Sequence, residues 1–433
     1  MRALFFRTLL AIGAAGLAVE AAAAVQPDTS AGTVIALPPL TTPDNNNEAL
    51  ALAWQATLLI DKDLRQTSEL LPIKPDQKDY YPYPEVTAPS FAKWRAAGAK
   101  ALLTGFVQAR ADGRLTIGCY VYDVVSGREL GRQGFVISKS ELRRAAHKCS
   151  ALAYSAITGA PGMFDTRIAY VAESGAGDAR IKRIAVMDSD GYHHSYVTSA
   201  DSLALTPRFA PHGEHVAYVS FTDGIPEVRI VDLQSKEQRP LIPGTAITFA
   251  PRYSPDGGRI AFSMTTGQNT DIYIVGANGG IPRRLTFSPG IDTDPSFSPD
   301  GNSIVFESDR SGAQQLYVMN ANGSNEHRIS FGAGGHASPD WSPDGKLIAF
   351  TYRAGNGRRI GVMNADGTGE KLLTTGPSDE GPSWAPSSRE LIFQRTGAGA
   401  HDGVYRVSLD GGQPGRIATP EDASDPDWSD PLD

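Results

Sequence analysis

Cysteine is scarce in this 433-residue sequence: there are two, Cys119 and Cys149, and they form no Cys-x-x-Cys pair. That excludes zinc ribbons and thioredoxin-type redox motifs. Basic charge is also short, with 40 Lys and Arg against 48 Asp and Glu and a formal charge of −8. Nothing here resembles the electrostatic footprint of a nucleic-acid binder. Histidine numbers only eight, and no H-E-x-x-H, Walker loop, dinucleotide fingerprint or G-x-S-x-G nucleophile elbow occurs. His193-His194 and the pair His212 and His215 fall at turn or strand edges without a carboxylate at ligand spacing, which reads as solvated histidine. The chain is therefore expected to be non-enzymatic and to need no cofactor.

Long hydrophobic runs are missing beyond the first two dozen residues. Those residues, MRALFFRTLLAIGAAGLAVEAAAA, carry Arg2 and Arg7, then an apolar stretch from Leu9 to Val19, then Ala22-Ala23-Ala24. This is the three-part pattern of a secretory leader, and its apolar part is too short for a membrane anchor. Residues 1–24 are thus expected to be removed, leaving a periplasmic monomer that is not inserted in the membrane. In such a compartment two cysteines are compatible with one disulfide, Cys119 to Cys149, or with two buried thiols; sequence supplies no geometry to choose.

Glycine (45) and proline (30) are plentiful, which argues for many turns between short strands. Six strings share one frame: PRFAPHG, PRYSPDG, PSFSPDG, PDWSPDG, PSWAPSS and PDWSDP, starting at Pro207, Pro251, Pro295, Pro339, Pro382 and Pro426, 43 or 44 residues apart. A fixed period of that size marks propeller blades. After five of these anchors comes a strand-type run such as RIAFSM, SIVFES or LIAFTY, then a second such as DIYIVGA or QLYVMNA. Asn322-Gly323, Asp366-Gly367 and Asp410-Gly411 predict type I′ hairpins returning a further strand. Each unit is a four-stranded meander.

The array's ends are offset. TRIAYVAES at 166–174 is a second strand without an anchor, and the last anchor has no second strand after it. One blade is accordingly expected to be shared, with the strand around Pro426–Trp428 closing the ring beside Arg167 and removing the exposed edges. Residues 160–433 are expected to form an all-β six-bladed β-propeller.

Between residues 25 and 159 the pattern alternates. TVIALPPL at 33–40 precedes a helical segment from Glu48 to about Ser68, FAKWRAAGAKALLTGFV, strands TIGCYVYDVV and ELGRQGFVIS, and a helix starting near Ser140 with Ser138 or Ser140 as cap and Glu141 in its first turn. This predicts an α/β N-terminal domain, with TGAPGMFD at 158–165 as the linker.

The residue before each anchor proline recurs at one blade position: Thr206, Ala250, Asp294, Ser338, Gly381 and Asp425. These six are expected to ring one mouth of the propeller channel, with Thr293 and Glu380 beside them. Asp292 and Asp294 form an acid pair at the start of the innermost strand, readable as a solvated loop, a polar rim for a partner or a loosely held cation site.

Taken together, the leader, the small α/β domain, TRIAYVAES, repeats of the P-x-[FW]-S-P-D-G…IAF…YVMNADG type and the terminal P-x-W-S resemble the TolB family, periplasmic propeller proteins of the Tol-Pal envelope system. The resemblance implies a protein-binding role in outer-membrane integrity and envelope constriction, with the lipoprotein Pal docked on the propeller mouth. The implied Pal-facing positions are Ala250 and Thr293-Asp294. Relatives are expected to carry Thr-Glu at the latter pair and a histidine where Ile247 stands, so one polar contact is replaced here. A second implied partner is TolA, reached through the N-terminal segment; the eight residues VQPDTSAG before TVIALPPL weaken that implication. The competing readings are a propeller enzyme, either an oligosaccharide lyase or a peptidase accessory, which requires a metal or nucleophile at the mouth, and a diverged binder of another envelope partner.

Overall fold

The computed structural model describes residues 32–43, 46–76, 78, 82–175, 180–201, 203–221, 224–244, 246–397 and 402–432. The leader expected at 1–24 and the segment at 25–31 lie outside the described residues.

The N-terminal part is an α/β layer. Its sheet contains β1 (Thr33–Ala36), β2 (Leu70–Pro72), β3 (Ala101–Ala109), β4 (Leu115–Asp123) and β5 (Glu129–Ile137) in the order β2-β1-β3-β4-β5. β1 runs parallel to both neighbours, and β3, β4 and β5 form an antiparallel meander. α1 (Asn47–Leu64) and α4 (Leu142–Thr158) cover one face, burying Ala53, Ala56, Ile60 and Leu64 with Ala145, Cys149 and Ala153 against Leu103, Ile117, Cys119 and Val121. α2 (Pro84–Thr87) and α3 (Phe91–Ala96) lie toward the other face, where Trp94 packs with Leu102 and Tyr122.

Helix ends follow local chemistry. Asn46 caps α1 by accepting from the backbone N–H groups of Glu48 and Ala49 at 2.9 and 3.1 Å. A capping box forms at Ser138, whose N–H donates to Glu141 Oε2 at 2.7 Å, and one 3₁₀ turn later α4 begins. The run from Phe91 to Val107 splits into α3 and β3 because Gly98, at φ 79°, turns the chain between them. Cys119 of β4 and Cys149 of α4 are joined, with Cα atoms 5.8 Å apart.

Six four-stranded sheets make the propeller. The anchor of each unit is the innermost strand: Asp422–Trp428, Ala204–Phe209, Ile247–Tyr253, Asp292–Phe297, Gly335–Trp341 and Asp379–Trp384, in blades 1 to 6. Blade 1 is composite. Asp422–Trp428 pairs antiparallel with Arg167–Ser174, through Asp422 with Glu173 and Trp428 with Ile168. Trp428 Nε1 donates to Thr166 Oγ1 at 2.8 Å, and Arg167 N donates to Ser429 Oγ at the same distance.

The Asn-Gly and Asp-Gly turns depart from expectation. Only their glycines have positive φ, at 91°, 85° and 86° for Gly323, Gly367 and Gly411. Asn320 N donates to Ser324 O, and Asn322 Oδ1 accepts from Ser324 N, so the connection is a longer loop instead of a two-residue type I′ turn, with its second positive-φ residue, Asn325 at 58°, two places beyond the glycine. The segment at 158–165 is likewise no free linker: Met163 and Phe164 are buried in the core shared by α1, α4 and blade 1.

The two parts meet where the inner strands end. Met163 lies against Ser387 in the turn after the inner strand of blade 6, Arg389 pairs with Glu69 at 3.1 Å, and Asp190 in a blade 1 turn pairs with Arg143 of α4 and with Lys62 of α1 at 3.7 Å. Among the described residues, these contacts leave the opposite end, where the inner strands begin, clear of the N-terminal part.

Candidate functional site

The six residues that precede the anchor prolines share one strained conformation. Thr206, Ala250, Asp294, Ser338, Gly381 and Asp425 have φ between 46° and 61°. A residue before proline is pushed away from the right-handed helical region, and a left-handed residue in a strand breaks its ladder. Each inner strand accordingly carries a register shift at that point, for example between Thr293 and Ser296 and between Ser424 and Asp427. Thr206, Ala250, Asp294 and Ser338 converge on a constricted cavity of about 20 Å³ on the axis, lined also by Arg208 and Arg252.

Two tiers of hydrogen bonds join neighbouring blades here. In the upper tier the N–H exposed by the bulge is taken up by a side chain of the preceding blade's second strand: Ser338 N donates to Glu307 at 2.9 Å, Gly381 N to Thr351 at 3.1 Å and Asp425 N to Gln394 at 2.9 Å. In the lower tier the residue after the proline takes up a backbone N–H of the following blade. Ser296 accepts from Trp341 N, Asp340 from Trp384 N, Ser383 from Trp428 N and Asp427 from Phe209 N. Blades 2 and 3 place Arg208 and Arg252 at this position. Arg252 Nη1 lies 3.3 Å from Asp340 and 3.4 Å from Asp427, and Arg208 Nε lies 3.9 Å from Asp427. Two cations facing two carboxylates close the axis below the mouth. Burial raises the Asp427 carboxyl, and the two arginines oppose that shift.

The predicted site residues therefore do not all face a partner. Thr293 is buried and donates to Glu307 Oε1 at 2.8 Å. Glu380 is held by Arg358 at 2.9 Å. Burial raises the Asp425 carboxyl. The Asp292–Asp294 cation reading fails on geometry: Asp292 is fully buried, and both its oxygens accept from Arg310 Nη2 at 2.8 Å. Asp294 is different. Its only hydrogen bond among the described residues comes from Ser338 Oγ at 3.4 Å, and no described cation pairs with it.

Around this end runs an arc of exposed apolar side chains absent from the sequence reading apart from Ile247. Ile225 sits in a hairpin of blade 2, Ile247 starts the inner strand of blade 3, Phe287 and Ile291 lie in the loop entering blade 4, and Phe331 lies in the loop entering blade 5. Phe287 is 71% and Phe331 65% exposed. Each phenyl ring is backed by an arginine of the strand before it, Arg284 at 4.7 Å and Arg328 at 5.0 Å from the ring centre. Scattered surface apolar residues need no explanation, but five on adjoining loops of one end mark a contact face.

The model of the TolB amino-terminal domain matches residues 24–130, and the model of the TolB beta propeller domain matches residues 154–432. The chain belongs to the TolB family. Among curated TolB relatives, the Tol-Pal system protein TolB of Rhizorhabdus wittichii is 48% identical over 227 residues, covering 50% of this chain and 52% of that protein. That of Zymomonas mobilis is 46% identical over 213 residues, covering 48% and 46%. The chain thus spans about half the length of the curated relatives it matches. The crystal structure of TolB from Acinetobacter baumannii superposes with a TM-score of 0.79 at 26% identity, over 92% of this chain and 96% of that one. No helix among the described residues is long and apolar enough to cross a membrane.

Proposed function

We propose that this chain is a periplasmic docking protein of the Tol-Pal system, binding the peptidoglycan-associated lipoprotein Pal at the propeller mouth and supporting outer-membrane integrity during envelope constriction. One observation carries the reading. The propeller end left clear by the N-terminal domain presents an apolar arc, Ile225 to Phe331, around the unpaired carboxylate of Asp294. Exposed apolar side chains gathered at one end mark a protein contact surface, whereas a substrate pocket would need convergent polar groups in a concave cavity. Thr206, Ala250 and Ser338 lie beside Asp294 on the axis. Ile247 adds apolar area where a histidine is expected in relatives.

Titration calorimetry with the lipid-free Pal domain tests this. The expected result is a complex with Kd between nanomolar and micromolar that weakens at least tenfold in Asp294→Lys, with no change in the melting temperature. Equal affinity of Asp294→Lys and wild type would remove Asp294 from the interface, and no binding by wild type would overturn the reading.

A further inference from the structure

Beneath Asp294, on the second strand of the same blade, the carboxylate of Glu307 is buried. It accepts from Thr293 Oγ1 at 2.8 Å, from Ser338 N at 2.9 Å and from Gln314 Nε2 at 3.2 Å. One side chain thereby fixes the hydroxyl before Asp294 and the backbone of the neighbouring mouth residue. The corresponding positions of the next two blades are Thr351 and Gln394, which take up the same backbone N–H with neutral oxygen. A negative charge is therefore not required to join the blades. Burying one is costly, and placing it beside a second acid adds to the cost.

We propose that Glu307 is a specificity-determining and positioning residue of the docking site, which together with Asp294 makes the mouth a two-carboxylate acceptor for a cationic or N–H-donating group carried by the docked protein. This rests on the docking reading above. Two charged groups face Glu307: Asp294 from its own blade's inner strand and Arg353 from the second strand of blade 5. Arg353 is shared, since it donates to Gln314 Oε1 at 2.6 Å and lies 4.0 Å from Glu380. Burial first, and Asp294 second, push the Glu307 carboxyl up to about 7. A cation from the partner favours the ionised pair. Docking then releases a proton and tightens as pH rises.

Affinity for the lipid-free Pal domain is to be measured at pH 6, 7 and 8 with a chelator present, so that no divalent ion supplies the missing charge. Wild type is expected to tighten by about tenfold from pH 6 to pH 8, the equivalent of a shift of one pKa unit. Glu307→Gln should bind at pH 8 about as weakly as wild type does at pH 6, with a flat profile. Asp294→Asn, which leaves the three hydrogen bonds to Glu307 in place, should lower the titration midpoint of the Glu307 carboxyl carbon in the free protein, read by NMR. Wild type that fails to bind at every pH overturns the docking reading. Binding with the same slope in wild type and Glu307→Gln overturns this inference alone. If Glu307→Gln does not fold, a Glu307 midpoint in wild type that is unmoved by Asp294→Asn overturns it instead.

Discussion

Asp427, on the strand that closes the ring, accepts the backbone N–H of Phe209 at 2.7 Å, across 218 residues of sequence. The same carboxylate faces Arg252 and Arg208, so one side chain joins the strand that closes blade 1 to blade 2 and, with Asp340, balances the two cations on the axis.

Replacing it exposes how much the closure depends on that contact. Asp427→Ala leaves Phe209 N–H and two part-buried arginines short of a partner and should cost about 3 kcal/mol, the low end of the range for breaking a buried ion pair. Denaturant unfolding checks this, and Arg252→Met combined with Asp427→Ala should recover part of the loss. Removing residues after Asp425 should abolish the cooperative transition of the propeller, read by calorimetry.

The Cys119–Cys149 link closes a loop of sequence separation 30 between β4 and α4. Chain-entropy arguments give about 3–4 kcal/mol for a loop of this size. Reduction, or Cys119→Ser with Cys149→Ser, should lower hydrogen-exchange protection of β4 and α4 and leave that of the propeller strands unchanged.

Asp190 is buried between α1 and α4, paired with Arg143, whose guanidinium also lies 3.6 Å from the centre of the Tyr192 ring. Burial lowers the Arg143 value, which marks a guanidinium dependent on its neighbours. Asp190→Ala should weaken the domain contact by about 3 kcal/mol and split a single calorimetric transition into two. A single undisturbed transition would show that the turn does not hold the domains.

Stability should fall as pH rises through neutrality. Glu390, beside Glu69 at the domain contact, is pushed up to about 7 by burial, with Arg406 opposing. An acid raised in the folded state adds stability that is complete below its unfolded value, 4.5, and is lost as pH climbs past the folded one. The melting temperature is thus expected to be higher at pH 6 than at pH 8, and Glu390→Gln should make that slope shallower.

The propeller was legible because each blade is a local unit and repeats itself along the chain. The offset of TRIAYVAES against the final anchor gave the shared blade by the same logic. Mouth positions could be found because a residue before proline has few conformations, and six such residues at one period must lie on one ring. Glu307 could not be found that way. Its role depends on the bulge at Ser338, which shifts the register there and frees the N–H that Glu307 takes up from the preceding blade. Nothing in LTFSPG and ISFGAG marks Phe287 and Phe331 as exposed, since the paths of their loops leave them in solvent. In the N-terminal domain, the parallel pairing of β1 with both β2 and β3 joins segments far apart in sequence, which periodicity does not encode. The acid pair misled for a related reason: Asp292 is near Asp294 in sequence, but Arg310 claims it.

The left-handed ring has an implication for how this surface can change. Backbone geometry is the same at those six points, with φ between 46° and 61°, while the occupants are threonine, alanine, aspartate, serine, glycine and aspartate. Shape and lettering are therefore separable. A lineage can rewrite the chemistry read by a visiting protein one position at a time, without disturbing the scaffold that displays it.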